Sequence, residues 1–130
     1  MDTRTAKCRC GRLKAHCRGE PARLSLCHCL ACKARTGSAF AYNATFPADA
    51  VTTEGEPSVW ERASEEGYWV RYSFCPVCGT TAWYEIERRP GMISVPVGGF
   101  ADPEFPAPRV EVYGERRQAW LAPVAGAEQG

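Results

Sequence analysis

The chain has 130 residues, with 16 Lys and Arg against 15 Asp and Glu, a net charge of +1. At roughly 150 residues per domain, this length predicts a single domain spanning 1–130. The near-balanced charge excludes an electrostatic case for a nucleic-acid or membrane-surface partner, and no apolar run approaches the ~18 residues of a transmembrane helix.

The opening stretch, residues 1–7, is polar and lacks an apolar h-region. That predicts a reducing, cytoplasmic setting. Leu13, Ala15 and Cys17 alternate with polar residues, a short strand pattern with Cys17 turned inward and His16 outward. Residues 24–27 form a brief apolar run that leads into three cysteines. Residues 30–35 are the one predicted helix, with Gly37 as its C-cap. Thr36, Gly37 and Ser38 read as a polar turn that caps this helix or lines a pocket. Lys33 and Arg35 read as its solvated face, with pairing to substrate carboxylates as the alternative. Phe40, Tyr42, Ala44 and Phe46 alternate strictly up to Pro47, a strand with one buried face. Further strands are predicted at 51–53, 58–62, 69–74, 80–86, 92–97 and 109–113. Phe40, Tyr42, Trp60, Trp69, Trp83 and Tyr84 read as core. The pairs Arg88-Arg89 and Arg116-Arg117 read as solvated surface. Residues 102–108 hold three prolines and are predicted irregular, and the tail from Val124 is predicted to fray. The pattern is that of an antiparallel β domain with little helix.

Eight cysteines carry the chemistry. They cluster as Cys8-x-Cys10, Cys27-x-Cys29-x-x-Cys32 and Cys75-x-x-Cys78, with Cys17 alone. Such close pairs aim two thiols at a common centre, which argues for metal ligation over a disulfide framework. With His16 and His28 the only histidines, the donors are thiolates, and thiolates select zinc first. On a strand, Cys8 and Cys10 share a face. Cys75-Pro76-Val77-Cys78-Gly79 reads as a zinc knuckle, its glycine permitting the tight turn. Cys8, Cys10, Cys75 and Cys78 make a closed set of four, and Cys27, Cys29 and Cys32 an open set of three. The middle three can instead assist a single zinc or stay as free buried thiols. The outer set would close a loop of about sixty-five residues, so metal binding would become folding energy. His28 reads as a turn residue facing solvent or a carbonyl, with general base as the sharper alternative.

Three segments carry a resemblance: Cys8-Arg-Cys10-Gly11; Cys27-His-Cys29-Leu-Ala-Cys32 running on to Gly37-Ser-Ala-Phe40; and Phe74-Cys75-Pro-Val-Cys78-Gly79-Thr80. Together they resemble the glutathione-dependent formaldehyde-activating enzyme and centromere protein V family, over about residues 5–121. The resemblance implies a β-tent fold of small antiparallel sheets around a structural zinc held by Cys8, Cys10, Cys75 and Cys78. It implies a second zinc, tied to activity, on Cys27, Cys29 and Cys32, which would be the catalytic residues. It implies a carbon–sulfur lyase, a zinc enzyme condensing glutathione or another small thiol with formaldehyde or a related aldehyde to a hemithioacetal. One departure stands out. The family commonly carries Pro-x-x-His-Ile, and here the segment is Pro106-Ala-Pro-Arg109-Val110, while Trp120 keeps the closing tryptophan. If the family's histidine shapes the pocket, this substrate differs.

Chemically, a three-thiolate zinc with an open position can bind a substrate thiol and remove its proton. Its net charge of about −1 makes it a weak Lewis acid and a loose zinc holder. Two rivals stand beside the enzyme: a non-catalytic, zinc-stabilised thiol-binding or protein-interaction module, and a redox protein in which the middle three thiols form disulfides. The oligomeric expectation is monomer or homodimer, the latter from the strand edges of a small β domain.

Overall fold

The computed structural model describes residues 2–130. Period-2 alternation dominates the sequence, and the chain is accordingly mainly β, with one α-helix among the described residues. Strands β1 (Thr3–Lys7), β2 (Lys14–Arg18) and β5 (Val51–Glu54) form an antiparallel sheet in the order β1-β2-β5. The second sheet takes β3 (Arg23–Cys27), β4 (Ala41–Pro47), β6 (Ser58–Ala63), β7 (Trp69–Phe74), β8 (Thr81–Ile86), β9 (Met92–Pro96), β10 (Val110–Val112) and β11 (Glu128–Gln129). Their order is β11-β10-β3-β4-β9-β8-β7-β6.

The two sheets bury one apolar layer between them. Ala6, Leu13, Ala15 and Cys17 come from the smaller sheet and its turn; Leu24, Ala44, Phe46, Trp83 and Val95 come from the larger. Because side chains alternate along a strand, the intervening residues face the other way. Arg23, Thr45, Ser94, Tyr84 and Tyr72 sit opposite one another in a single row across β3, β4, β9, β8 and β7. This second face is concave. The β6–β7 turn reaches the segment after β10, with Arg116 on Glu65 at 3.0 Å and the Tyr113 hydroxyl on Glu66 at 2.7 Å.

Several expectations are corrected. β10 runs parallel to β3 and to β11, so the larger sheet is not wholly antiparallel. The tail does not fray. Glu128 N–H donates to the Arg109 carbonyl, and Gly130 N–H to that of Glu111, each at 2.8 Å. The tail's composition conceals this because its bonds run through backbone and a buried carboxylate. Trp60 is 53% exposed, on the outer strand β6, and stacks on Tyr72 at 5.7 Å. Trp69 is half-buried under Arg71. His16 is half-buried, not exposed: Thr5 Oγ1 lies 2.8 Å from its Nδ1, and Glu54 meets its Nε2. No helix among the described residues is long and apolar enough to cross a membrane.

Candidate functional site

The cysteines gather into two separate groups. Cys8 and Cys10 follow β1, and Cys75 and Cys78 turn the chain from β7 into β8. Their four sulfurs lie within 4.8 Å of one another. Cys8 Sγ is 3.7 Å from Cys10 Sγ, which is 3.6 Å from Cys75 Sγ. Four sulfurs at ~2.3 Å around a tetrahedral zinc would be about 3.8 Å apart, so the set fits that ion. The two turns are built alike. Gly11 N–H donates to the Cys8 carbonyl and Gly79 N–H to that of Cys75, and the two glycines take φ of 85° and 81°. The backbone also favours thiolates here. Leu13 N–H donates to Cys8 Sγ at 3.2 Å, and the Thr80 hydroxyl and N–H bring Cys78 down to about 5. Cys17 belongs to neither group. It is fully buried, and burial raises its thiol to about 11. The inward, apolar reading of Cys17 holds.

The second group is Cys27, Cys29 and Cys32, whose sulfurs also lie within 4.8 Å of one another. Cys27 ends β3. Cys29 caps the helix α1 (Leu30–Thr36), and its sulfur accepts the Cys32 N–H at 3.3 Å. The helix stops where Gly37 turns left-handed at φ 67° and donates to the Lys33 carbonyl. The Thr36 hydroxyl donates to the Cys32 carbonyl, so Thr36 caps the helix rather than lining a pocket. Hydrogen bonds from Cys27 and then Cys32 draw the Cys29 thiol down to about 2; the Arg62 charge adds to the effect. Three soft donors with one side free suit a zinc that keeps a position open.

What separates the two groups is a cleft on the concave face of the larger sheet, with a cavity volume of about 120 Å³. Cys27, Cys29 and Cys32 line it, and none of the four outer cysteines does, among the described residues. Its walls carry Arg23, Arg62, Arg88 and Arg89 against one acid, Glu65. Arg62 Nε donates to the Tyr72 hydroxyl at 3.1 Å.

Several cations and aromatics are therefore not where the sequence suggested. Arg88 and Arg89 both line the cleft, Arg88 while still exposed as expected and Arg89 half-buried. Arg35 lies over Tyr72 at 4.7 Å and Tyr84 at 5.6 Å, and Lys33 Nζ donates to the Arg116 carbonyl and Gln118 Oε1, so neither is a solvated helix residue. Tyr84 is buried as expected, but in the cleft wall. Arg109 is exposed and is not among the residues lining the cleft, so its exchange for histidine does not reshape that pocket directly.

Sequence reasoning missed Glu111 and misread His28. His28 is fully buried, not facing solvent or a carbonyl, and its Nε2 lies 2.8 Å from Glu111 Oε1. It is not among the cleft-lining residues. Glu111 is 1% exposed, and its other oxygen accepts from Val124 N–H and Gln129 Nε2, both at 2.8 Å. Arg117 lies 3.4 Å away, so this arginine too is structural rather than solvated. Burial raises this carboxyl, but the bonds from Gln129, His28 and Val124, with the Arg117 charge, outweigh it and leave it at about 2. A lone glutamate in an apolar Val-Glu-Val strand was the available signal.

A family model described as glutathione-dependent formaldehyde-activating enzyme matches residues 3–116. The chain belongs to this family. Glutathione-dependent formaldehyde activation is thus its activity at the level of the family. No curated protein matches the chain significantly. Among solved structures, a Rhodobacter sphaeroides protein, crystallised as a structural-genomics target, aligns with a TM-score of 0.57 at 19% identity. The alignment covers 73% of this chain and 85% of that one, and supports the fold of the formaldehyde-activating family member described here.

Proposed function

We propose that this family member is a zinc-dependent carbon–sulfur lyase that joins a small thiol such as glutathione to formaldehyde or a related small aldehyde. The observation that carries the reading is the position of Cys27, Cys29 and Cys32 in the wall of an arginine-rich cleft, apart from the four-cysteine set. Cys8, Cys10, Cys75 and Cys78 would hold a structural zinc, and Cys27, Cys29 and Cys32 a second one. When bound there, the second ion supplies an open coordination position that lowers the pKa of an incoming thiol.

The chain's own residues do the rest. A free thiol near neutral pH is mostly protonated. Arg62 sets positive charge beside Cys29 and Cys32, which favours negative charge on sulfur nearby. The walls hold thiol and aldehyde together, so a bimolecular encounter becomes an oriented one. The balance is simple. A bond forms from sulfur to the carbonyl carbon, the carbonyl π bond breaks, and the proton lost from sulfur ends on the new hydroxyl. Nothing is oxidised or reduced. A glutathione-rich, cytoplasmic compartment suits this reaction.

Carbon-13 exchange spectroscopy on formaldehyde and glutathione tests the reading. The zinc-loaded protein is expected to accelerate adduct formation above the spontaneous rate. Cys29→Ser is expected to return it to that rate with an unchanged thermal melt. Thiol binding with no acceleration by the wild type would refute the enzyme and favour a non-catalytic thiol-binding module.

A further inference from the structure

The cleft holds polar groups that the proposed condensation leaves unused. Arg23, at the start of β3, is half-buried, and Arg89 meets the same cleft from the turn after β8. Neither has a carboxylate partner among the described residues. The acid of the cleft wall, Glu65, is engaged with Arg116, and Glu66 next to it with Arg88 and Tyr113. Burial, then the charges of Arg89 and Arg88, hold the Arg23 guanidinium below its ordinary range; Tyr84 and, on β11, Glu128 act the other way without an ion pair. Like charges are thus left facing one another in a partly dry site.

A second observation lies one step along the floor. Asn43, on β4, sits opposite Ser25. It is 3% exposed, it lines the cleft, and its carboxamide oxygen has no hydrogen-bond partner among the described residues. A buried acceptor is costly to leave without a donor.

Strand geometry sets the order of these groups. Arg23, Ser25 and Cys27 face the cleft in series along β3, each opposite Thr45, Asn43 and Ala41 in turn. At ~3.3 Å per residue, Arg23 and Cys27 are about 13 Å apart along the strand, with Asn43 level with the midpoint.

We propose that Arg23, Arg89 and Asn43 form a recognition subsite for a peptide-like thiol. The guanidinium groups take its carboxylate, Asn43 accepts an N–H lying between carboxylate and sulfur, and the sulfur reaches Cys27, Cys29 and Cys32. A cysteine residue followed by one further residue with a free carboxylate presents those groups in that order. The planar guanidinium fork matches a carboxylate in shape and charge. The proposal deepens the function inferred above, since it takes the cysteine trio as the sulfur end.

The test is calorimetric titration of the zinc-loaded protein with S-methylglutathione and with the same compound amidated at its glycine carboxylate. Neither probe has a thiol to condense, so binding is read apart from chemistry. The wild type is expected to bind the acid ~10-fold more tightly than the amide. Arg23→Gln is expected to erase that preference, as is Arg89→Gln, a turn position that keeps the test open should the first variant fold poorly. Asn43→Leu is expected to weaken both probes alike. Without ligand, all three variants are expected to melt no lower than the wild type, since each removes repulsion or an unpartnered buried group. Equal wild-type affinity for the two probes, no measurable binding of either, or a preference that survives in both arginine variants would overturn the proposal. Accelerated adduct formation without the acid preference sinks the subsite alone. The acid preference without acceleration sinks the lyase reading alone.

Discussion

Glu111 is the residue whose removal should be felt furthest from where it stands. Its carboxylate joins His28, between two of the cleft cysteines, to Val124 and Gln129 in the tail and to Arg117. Breaking a buried charged cluster by removing one partner costs about 3–5 kcal/mol. Glu111→Ala is therefore expected to lower the melting temperature by on the order of 10 °C or more, and calorimetry would show it. The pH dependence has a definite sign. The folded carboxyl sits at about 2 against an ordinary 4.5, so it binds its proton less readily when folded. Its stabilisation is whole above about pH 4.5 and is lost as pH falls through 2. The gap in urea midpoint between wild type and Glu111→Gln should hold from pH 7 to about 5 and narrow below that, down to pH 3. A constant gap would count against the buried carboxylate as its source.

At the scale of elements, the helix α1 and the strand β11 make a contrast. The helix has no buried residue of its own, so packing does not fix it. Its caps do: Cys29 at one end, Gly37 and Thr36 at the other. Lys33 then ties it to the segment at Arg116 and Gln118. β11 is only Glu128–Gln129, and both residues are exposed, yet it closes the sheet edge against β10 and covers Glu111. A chain ending at residue 121 should therefore unfold several degrees below the full chain and expose the His28–Glu111 pair; proton exchange of the His28 ring by NMR would report it. An unchanged melt would mean that the tail is dispensable after all. Each hydrogen bond lost is worth about 1 kcal/mol, more where it meets a charge.

For the whole molecule, the four-cysteine group is the seam. Its sulfurs bring the end of β1, in the smaller sheet, against the β7–β8 turn of the larger. Cys10 and Cys75 are 65 positions apart, so the four ligands come together only in the folded chain, and the binding free energy of a metal there would add to folding. Chelation, or Cys75→Ser, is expected to lower the melting temperature by ~10 °C or more. Cys29→Ser, on the cleft, should leave it almost unmoved. If both substitutions shift the melt equally, the division into a structural and a reactive site is wrong.

Much of this was legible in the residues themselves. Alternation marked β2 and β4, because a strand with one buried face repeats every second residue, a short apolar run marked β3, and short β-forming stretches marked β5 through β10. Leu30 to Gly37 was legible as a helix with its stop, since a left-handed C-cap calls for glycine. Cysteine spacing grouped the thiols because side chains two or three residues apart in a turn come close together. What the sequence by itself determined, then, was the β class, the short helix and the pairing of nearby thiols. β1 and β11, the parallel setting of β10, the burial of Glu111 and the gathering of Arg23, Asn43 and Arg89 on one cleft were decided only by tertiary structure. Local pattern reports which face of an element is apolar. It carries no record of which distant strand edge, carboxylate or arginine arrives on the other face, and the curling of the larger sheet brings those together.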